Sequence, residues 1–578
     1  MSRFNLIDEP WISVVIDYKG TTKLVGLKEF FENAHTYIAL AGDMPTQDFA
    51  VMRFILAILH TVFSRYDAQG NAYEMVTLNE RMQQLEEVDQ GDYEEYEDAL
   101  LDTWKDLWKA GKFPDIVVKY LDAWHDRFYL YDDKYPFYQV TKEIISKVNA
   151  QFTDSTCTTA IVCPKFINRT ISESGNKIAL FSPRCNSNKN NLTDAELARW
   201  LITFQGVSNS SDKTSIIDDK NLPKSIGWIY GLGGVFFSAD NLFKTMLLNF
   251  VLKHPEQQYN VSQHPAWEFE QSEFYEMYKE SRMIDNLACL YTNWSRLVYL
   301  FYYTGNKKES KDKESRENLR LRIVKTIAPQ QEANVLEPMA KWKDNSDKIL
   351  AADKPQKNEA AWRSFNAIIN LSDNYRRLPG IADNLNHLKK VFSEDELIQV
   401  NVISAIDNGD PSSRVLIEEY YDNFNLKLYV ATDLLNKGWV VRINNIIEKT
   451  KEIIEKDYGR FLYDIKKIRK INFSDFVSNK KGDLYFRIDK PFRDWLADID
   501  CKDNKDAKEQ EWYAKLRKII HIQIDEVTKN ASSRDFIGVV IKDKKNKDKE
   551  NNIAIALNML MASVNKKLPK LDNNHRSI

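Results

Sequence analysis

Cysteine and histidine are scarce here, five and eight residues among 578. Cys157, Cys163, Cys185, Cys289 and Cys501 are odd in number and widely scattered, which excludes a disulfide framework and fits a reducing compartment. They read as buried thiols. No run approaches the roughly 20 apolar residues that span a bilayer, and the segment before Trp11 lacks the apolar core of a secretory leader. The chain is therefore expected in the cytoplasm, away from membranes. An excess of one charge is missing too. The 81 basic and 84 acidic side chains leave a net charge of -3, so any nucleic-acid contact must use local basic patches.

The usual catalytic constellations are absent as well. Gly231-x-Gly233-Gly234 is followed by no Gly-Lys-Ser/Thr, and the dinucleotide pattern is incomplete. Its glycines instead permit positive φ or a close backbone approach to a ligand. Cys157 and Cys163 have no second pair at zinc-ribbon spacing, and His125-Asp126 stands without the further ligands a metal-dependent hydrolase needs. No cofactor or metal is expected. A nuclease using His125 and scattered carboxylates stays open as an alternative, as does a purely structural adaptor.

What is present is a folded-protein composition, 43% hydrophobic, 12% aromatic and 29% charged. At roughly 100 to 200 residues per domain the length implies two to four domains. Phe4 to Val15 and Lys23 to Leu27 read as strands of a small hairpin. Phe49, Met52, Ile55, Leu56, Leu59 and Phe63 recur at helical spacing, predicting a helix with one buried face. In the acidic helices that follow, Leu101, Trp104 and Trp108 are predicted to face inward.

The aromatic run between Tyr120 and Gln139, broken by Pro136, predicts strand and turn. A long polar stretch, 151–191, ends at Thr193, where Glu196 completes a capping box before Leu197, Trp200, Leu201 and Phe204. Leu242 to Leu252 reads as a helix. The charged run 307–322 reads as a hairpin tip or a loop. After Asp433 a stripe from Trp439 through Ile443, Ile447, Ile454, Tyr458 and Leu462 to Ile465 opens a series of long amphipathic helices, the others lying near 484–499, 509–527 and 552–564. The run Lys542 to Lys549 reads as the last interhelical loop. The fold class expected is α+β: a large, mainly helical N-terminal domain over 1–432 and a C-terminal four-helix bundle over 433–578.

Several segments together resemble the CasA family, the large subunit of the type I-E CRISPR complex Cascade. They are Phe4 to Val14 (FNLIDEPWISV), Trp124 to Phe128 (WHDRF), Tyr135 to Gln139 (YPFYQ), Ala179 to Phe181, Ala195 to Leu201 (AELARWL), Pro265 to Glu268 (PAWE), Trp294 to Arg296 and Trp362-Arg363, in an order that spans nearly the whole chain. The resemblance implies a non-catalytic subunit that recognises the protospacer-adjacent motif of double-stranded DNA from the minor groove and promotes duplex opening and R-loop formation. It also implies contact with the guide-end of the CRISPR RNA and recruitment of a helicase-nuclease. Further implied partners are the backbone, small and guide-end cap subunits of the complex. Target sequence itself is read by base pairing.

Carried onto this sequence, the family's glycine loop falls at Gly231, Gly233 and Gly234, and a groove-entering lysine at Lys325. The wedge loop falls at Asn408, Gly409, Asp410, Pro411 and Ser412. It has no glutamine, a departure from the best-known members, and also reads as an ordinary Asn-Gly and Asp-Pro turn. Lys165, Arg169, Lys177 and Arg184, with Phe181 as anchor, supply the loop implied to reach the guide-RNA end and neighbouring subunits. The apolar island 178–181 also reads as a plain strand.

Overall fold

Pro45 suits a first helical position, because its φ is pre-set and its missing N–H would be unpaired there anyway. A helix accordingly runs Pro45–Phe63 in the computed structural model of the chain. It is buried on every side rather than on the one face its periodicity suggests, with Ala50, Val51, Phe54 and Ile58 as enclosed as Phe49 and Ile55. By length and composition this helix could cross a membrane, which corrects the expectation that no run comes close; 94% of its apolar window is buried inside the protein. Its buried arginine, Arg53, is matched by Glu337, Nη1 to Oε2 2.6 Å, which is what permits a guanidinium in such a core.

The structure describes residues 4–150, 161–168, 191–209, 214–217, 219, 221–253, 262–303, 318–330, 336–344, 350–369, 380–393, 396–409, 416–542 and 548–568. Helices and strands are mixed. The chain divides into two compact units: Met1–Glu359 with Ala367–Val391 and Gln399–Asn423, and Ala360–Asn366 with Phe392–Ile398 and Phe424–Ile578.

In the first unit, β1 (Ile12–Val15) pairs antiparallel with β2 (Thr22–Val25), the expected hairpin, and with β3 (Ala39–Leu40). A second sheet has the order β4 (Ile161–Val162), β7 (Leu319–Lys325), β6 (Arg296–Tyr302). The charged run thus joins a true antiparallel pair, and its C-terminal part is strand. A third sheet places β10 (Leu397–Asp407) between β5 (Gly234–Ser238) and β11 (Leu416–Lys427), while β8 (Trp342–Asp344) and β9 (Leu350–Ala352) pair separately. The helix Asp194–Val207 starts at the predicted capping box. That of Leu242 stops at Leu248, short of the expected Leu252.

Two other expectations need correction. The aromatic run holds a helix, Ile116–Ala123, then a 3-10 turn and further turns, with only an isolated bridge from Asn5 to Tyr129. Its rings pack on each other and on Phe54 rather than along a ladder, Phe54 to Phe137 at 5.5 Å and Phe128 to Phe137 at 5.8 Å. In the helix Tyr93–Ala110 the buried face is Tyr96, Leu100, Trp104 and Leu107, with Leu101 and Trp108 partly exposed. Trp108 instead stacks on Trp104 at 5.1 Å.

The second unit carries the amphipathic series. Trp439–Glu452 passes through a π-helical turn, Ile453–Tyr458, into Gly459–Arg469. The helices Phe476–Ala497, Lys505–Thr528 and Ile553–Lys567 follow. The whole predicted stripe from Trp439 to Ile465 is buried. Phe492, Trp495 and Trp512 form an aromatic centre joined by Trp362, with Trp362 to Phe492 at 4.4 Å and Phe492 to Trp512 at 4.9 Å. The expected last loop is flanked by paired strands, β12 (Val539–Lys542) and β13 (Asp548–Asn551).

Candidate functional site

The short helix Trp228–Leu232 ends at Gly233, whose φ of +71° is a conformation that a Cβ resists. Gly234 then opens β5 directly opposite Ile403 of β10. Both glycines are buried. A Cβ on Gly234 would lie 2.3 Å from the Phe49 ring, and one on Gly233 would lie 2.6 Å from Pro355 and 2.7 Å from the Ile403 carbonyl oxygen. Internal packing therefore accounts for these two. Gly231 differs: it is partly exposed, and a Cβ there would meet only the Ile226 side chain, at 3.2 Å.

From Ile403 the strand β10 continues to Asp407, where the second singled-out motif begins. Asn408 and Gly409 are exposed, Gly409 has φ +71°, and its N–H donates to Asp407 Oδ1 at 2.8 Å, the closure of an Asx turn. The other carboxylate oxygen, Oδ2, accepts the Tyr230 hydroxyl at 2.5 Å. Lys354 Nζ stands 4.7 Å from the centre of the Tyr230 ring. The glycine turn and the base of the expected wedge loop are therefore one construction at the end of one sheet. Asp410, Pro411 and Ser412 lie outside the described residues. Tyr230 and Lys354 escaped the reading of site residues, whereas Asp407 opens the segment read as the wedge loop. The Asp-Asn-Gly triplet signalled a turn, but nothing local announced the partner of Tyr230.

Elsewhere in the first unit the carboxyl of Asp48, on the Pro45–Phe63 helix, is pushed up to about 7 by burial, partly opposed by its hydrogen bond from the Gly42 amide. Glu419 on β11, which accepts from the Thr46 amide at 2.8 Å, is also raised by burial.

Lys325 closes β7 rather than standing in a loop. It is opposite Arg296, its N–H donates to the Thr214 carbonyl at 3.0 Å, and its own carbonyl accepts from Ile216 N at 2.8 Å. Its side chain is partly exposed, on a different sheet from the glycine turn. Lys165 lies in the turn Pro164–Phe166 that follows β4, and β4 pairs with β7 through Ile161 and Arg322. The structure thus brings Lys165 and Lys325 to one sheet, and Gly231, Asn408 and Gly409 to another. Arg169, Lys177, Phe181 and Arg184 lie outside the described residues.

His125 and Asp126 do not act together. His125 Nε2 is 2.7 Å from Asp8 Oδ2, whereas Asp126 pairs with Arg81 and Arg127. Among the described residues no group of three or more His, Cys, Asp or Glu side chains is arranged to hold a metal ion. The Cys289 thiol is buried as expected, and burial raises it while the Arg282 guanidinium beside it opposes the rise; Cys163 and Cys501 are in partly exposed residues, and Cys157 and Cys185 lie outside the described residues.

In class, then, this is a large mixed helix–strand protein of two units whose candidate site is a pair of backbone turns on one sheet. The family follows from comparison. The model of the family described as CRISPR-associated protein Cse1 matches residues 5–521, and the chain belongs to that family. It is similar to CRISPR-associated protein CasA/Cse1 of Thermus thermophilus, 26% identical over 273 residues, 46% of this chain and 42% of that protein, so the matched stretch spans less than half of the relative's length. The fold is similar to that of Thermobifida fusca Cse1, with a TM-score of 0.71, 20% identity and 98% of each chain covered. It is also similar to a chain of a CRISPR RNA-guided surveillance complex, with a TM-score of 0.61, 14% identity, and 97% of this chain and 99% of that one covered.

Proposed function

We propose that this chain is the large, non-catalytic subunit of a type I-E CRISPR RNA-guided surveillance complex. In this reading the part over 1–432 recognises a protospacer-adjacent motif in double-stranded DNA and starts its opening, while a four-helix bundle over 433–578 serves assembly. Family membership and the similarity to a surveillance-complex chain support the first statement. The observation that carries the second is the joining of the glycine turn to the Asp407–Gly409 turn through Tyr230.

A minor groove offers a degenerate pattern, separating mainly A·T from G·C, so its reader needs slim groups, backbone among them, and a wedge beside them. Gly231 supplies a turn without a Cβ, and Asn408 and Gly409 lead into Asp410, Pro411 and Ser412, the proposed wedge. Lys325 is the proposed groove-entering cation. Lys165, Arg169, Lys177, Phe181 and Arg184 are proposed to face the guide-RNA end and the backbone, small and guide-end cap subunits. Once the duplex is open, the complex recruits a helicase-nuclease.

Co-expression with the neighbouring gene products and purification on a tag of this chain tests the reading. A stable assembly that carries a small RNA and captures duplexes according to the bases flanking the target is expected. A chain that purifies alone, or an assembly indifferent to those bases, would sink it.

A further inference from the structure

The helix Pro45–Phe63 begins without a cap of its own. Its N-cap residue is Met44, whose side chain makes no capping hydrogen bond, and Pro45 has no N–H to offer. The amide and the hydroxyl of Thr46 are taken instead by Glu419 Oε2, 373 positions away on β11, the amide at 2.8 Å. A carboxylate suits this place, because the first turn of a helix presents unpaired N–H groups and a partial positive charge. Thr46 is buried and Glu419 half-buried, so the bond is partly shielded from water.

β11 is an edge strand, paired only with β10. β10 leads into the proposed wedge, 408–412, and β11 leads out of it. Side chains alternate along β11. Glu418 and Tyr420 meet Lys357 Nζ at 3.2 Å and the Glu359 carbonyl at 2.6 Å. Glu419 and Tyr421 take the other face, where the Tyr421 hydroxyl donates to Asn401 Oδ1 of β10 at 2.7 Å. Glu419 thus ties an edge strand to the core helix of its unit.

A second carboxyl shares that first turn. Asp48 Oδ1 accepts the Gly42 amide at 2.7 Å, and Glu419 acts on it as a like charge. Asp43 is a further like charge, and Arg199 works against all three. From β11 comes the Tyr421 phenol, raised by burial and by Asp48. The guanidinium is already engaged, by the Trp11 carbonyl at 2.7 Å, Gln47 Oε1 at 3.0 Å and Asp43 Oδ1 at 3.5 Å. A proton on Asp48 leaves Glu419 alone at the helix end. Once Asp48 ionises, two negative charges compete for one turn. With β11 in place the Asp48 carboxyl stands at about 7 against an ordinary 3.8, so a proton favours the held strand, and the hold weakens as pH rises through about 7.

We infer that Glu419 positions the β10–β11 hairpin on the core helix, and that ionisation of Asp48 loosens this hold. For its effect on DNA opening the inference rests on the reading of 408–412 as a wedge; the hold itself belongs to the free chain.

Deuterium exchange of the full chain over 416–423, each rate divided by its intrinsic value, is compared at about pH 6 and about pH 8.5. The parent should exchange about fivefold faster at the higher pH. Asp48→Asn should stay slow at both. Glu419→Gln, which still accepts from Thr46 but carries no charge, should also lose the pH difference, whereas a merely structural contact would leave it as in the parent. Glu419→Ala should exchange fast at both pH values. A parent without the difference, an Asp48→Asn variant that retains it, or a Glu419→Ala variant as slow as the parent at the lower pH overturns the inference. Circular dichroism checks that each variant is folded. In the assembled complex, permanganate-detected opening should follow the same order of variants. A hairpin that responds as expected while opening does not would uphold the hold and overturn the wedge reading, which tells the two failures apart.

Discussion

Tyr230 and Asp407 are 177 residues apart in sequence and 2.5 Å apart in space, phenol to carboxylate. Because the second Asp407 oxygen accepts the Gly409 amide, one side chain holds the glycine turn and the turn at the end of β10 together. A charge-assisted hydrogen bond of this kind is stronger than a neutral one. Displacing either turn therefore strains the other.

The three glycines should respond unequally to a single methyl. Gly234→Ala meets the Phe49 ring at 2.3 Å, and Gly233→Ala adds a positive-φ penalty to its clash with Pro355 and Ile403. Each should cost about 1 to 3 kcal/mol. Gly231→Ala meets only a movable isoleucine tip and should cost less than about 1 kcal/mol. Thermal melts of the three variants measure this. Equal melts would contradict the packing described, and any loss of duplex capture by Gly231→Ala without a stability change would then report on recognition.

Local chemistry was legible in the sequence and distant chemistry was not. The Thr193–Glu196 box, the β1–β2 hairpin and the stripe from Trp439 to Ile465 follow from spacing of a few residues, and the structure has them. The run from Tyr120 to Gln139 misled because aromatic residues favour strands only where a neighbouring strand exists. Here the rings pack on Phe54 and Trp267, and Gln139 Nε2 donates to the carbonyls of Leu130 and Phe137. Gly234 looked like a ligand-facing position because its true neighbour, Phe49, lies 185 positions earlier in the numbering. The Tyr230–Asp407 bond has the same character: it depends on the register of β5 against β10, which no local pattern specifies.

Trp439 anchors the long helix of the second unit at 1% exposure, with the Lys505 ammonium 5.6 Å from its ring and its backbone N–H on Asp433 Oδ2 at 2.9 Å. Trp439→Ala should destabilise by about 3 to 5 kcal/mol through lost transfer energy and the cavity left behind. Chemical denaturation gives the number. A midpoint that does not move would place this helix face wrongly.

Stability should also carry a signature of Asp48. Its folded value of about 7 exceeds the ordinary 3.8, so between those values the folded state binds a proton that the unfolded chain has released. The contribution is present at low pH and is lost as pH rises through about 7. Asp48→Asn cannot ionise and can still accept from the Gly42 amide. It should gain on the order of 1 to 2 kcal/mol over the parent at about pH 8 and little at about pH 4, the carboxyl being only partly shielded from water. Melting curves at the two pH values decide; a gain that is the same at both would remove Asp48 from the account.

Tyr230→Phe removes one hydroxyl and nothing else, so it separates holding the turns together from forming them. The Asp407 carboxylate keeps its bond to Gly409 and stays at the surface end of β10, and the cost to global stability should be no more than about 1.5 kcal/mol. What should change is coordination. With the phenol bond gone, the Asn408 and Gly409 amides should exchange with deuterium faster, while those of β5 should not. On the proposed division of roles, capture of a target duplex by the assembled complex depends on the glycine side of the site and should survive. Strand separation, on the same proposal, needs the wedge held at a fixed distance from that side, and should slow. Unstacking a step costs on the order of a few kcal/mol, and a pre-opened bubble beside the motif removes that cost in advance, so the bubble should restore the Tyr230→Phe complex. Gly231→Asp would place a carboxylate where the proposed duplex brings its phosphates, and should then lose capture on intact and bubbled duplexes alike. Permanganate footprinting reads opening and gel shifts read capture. Equal rescue of both variants by the bubble would mean that the two turns do not divide recognition from opening.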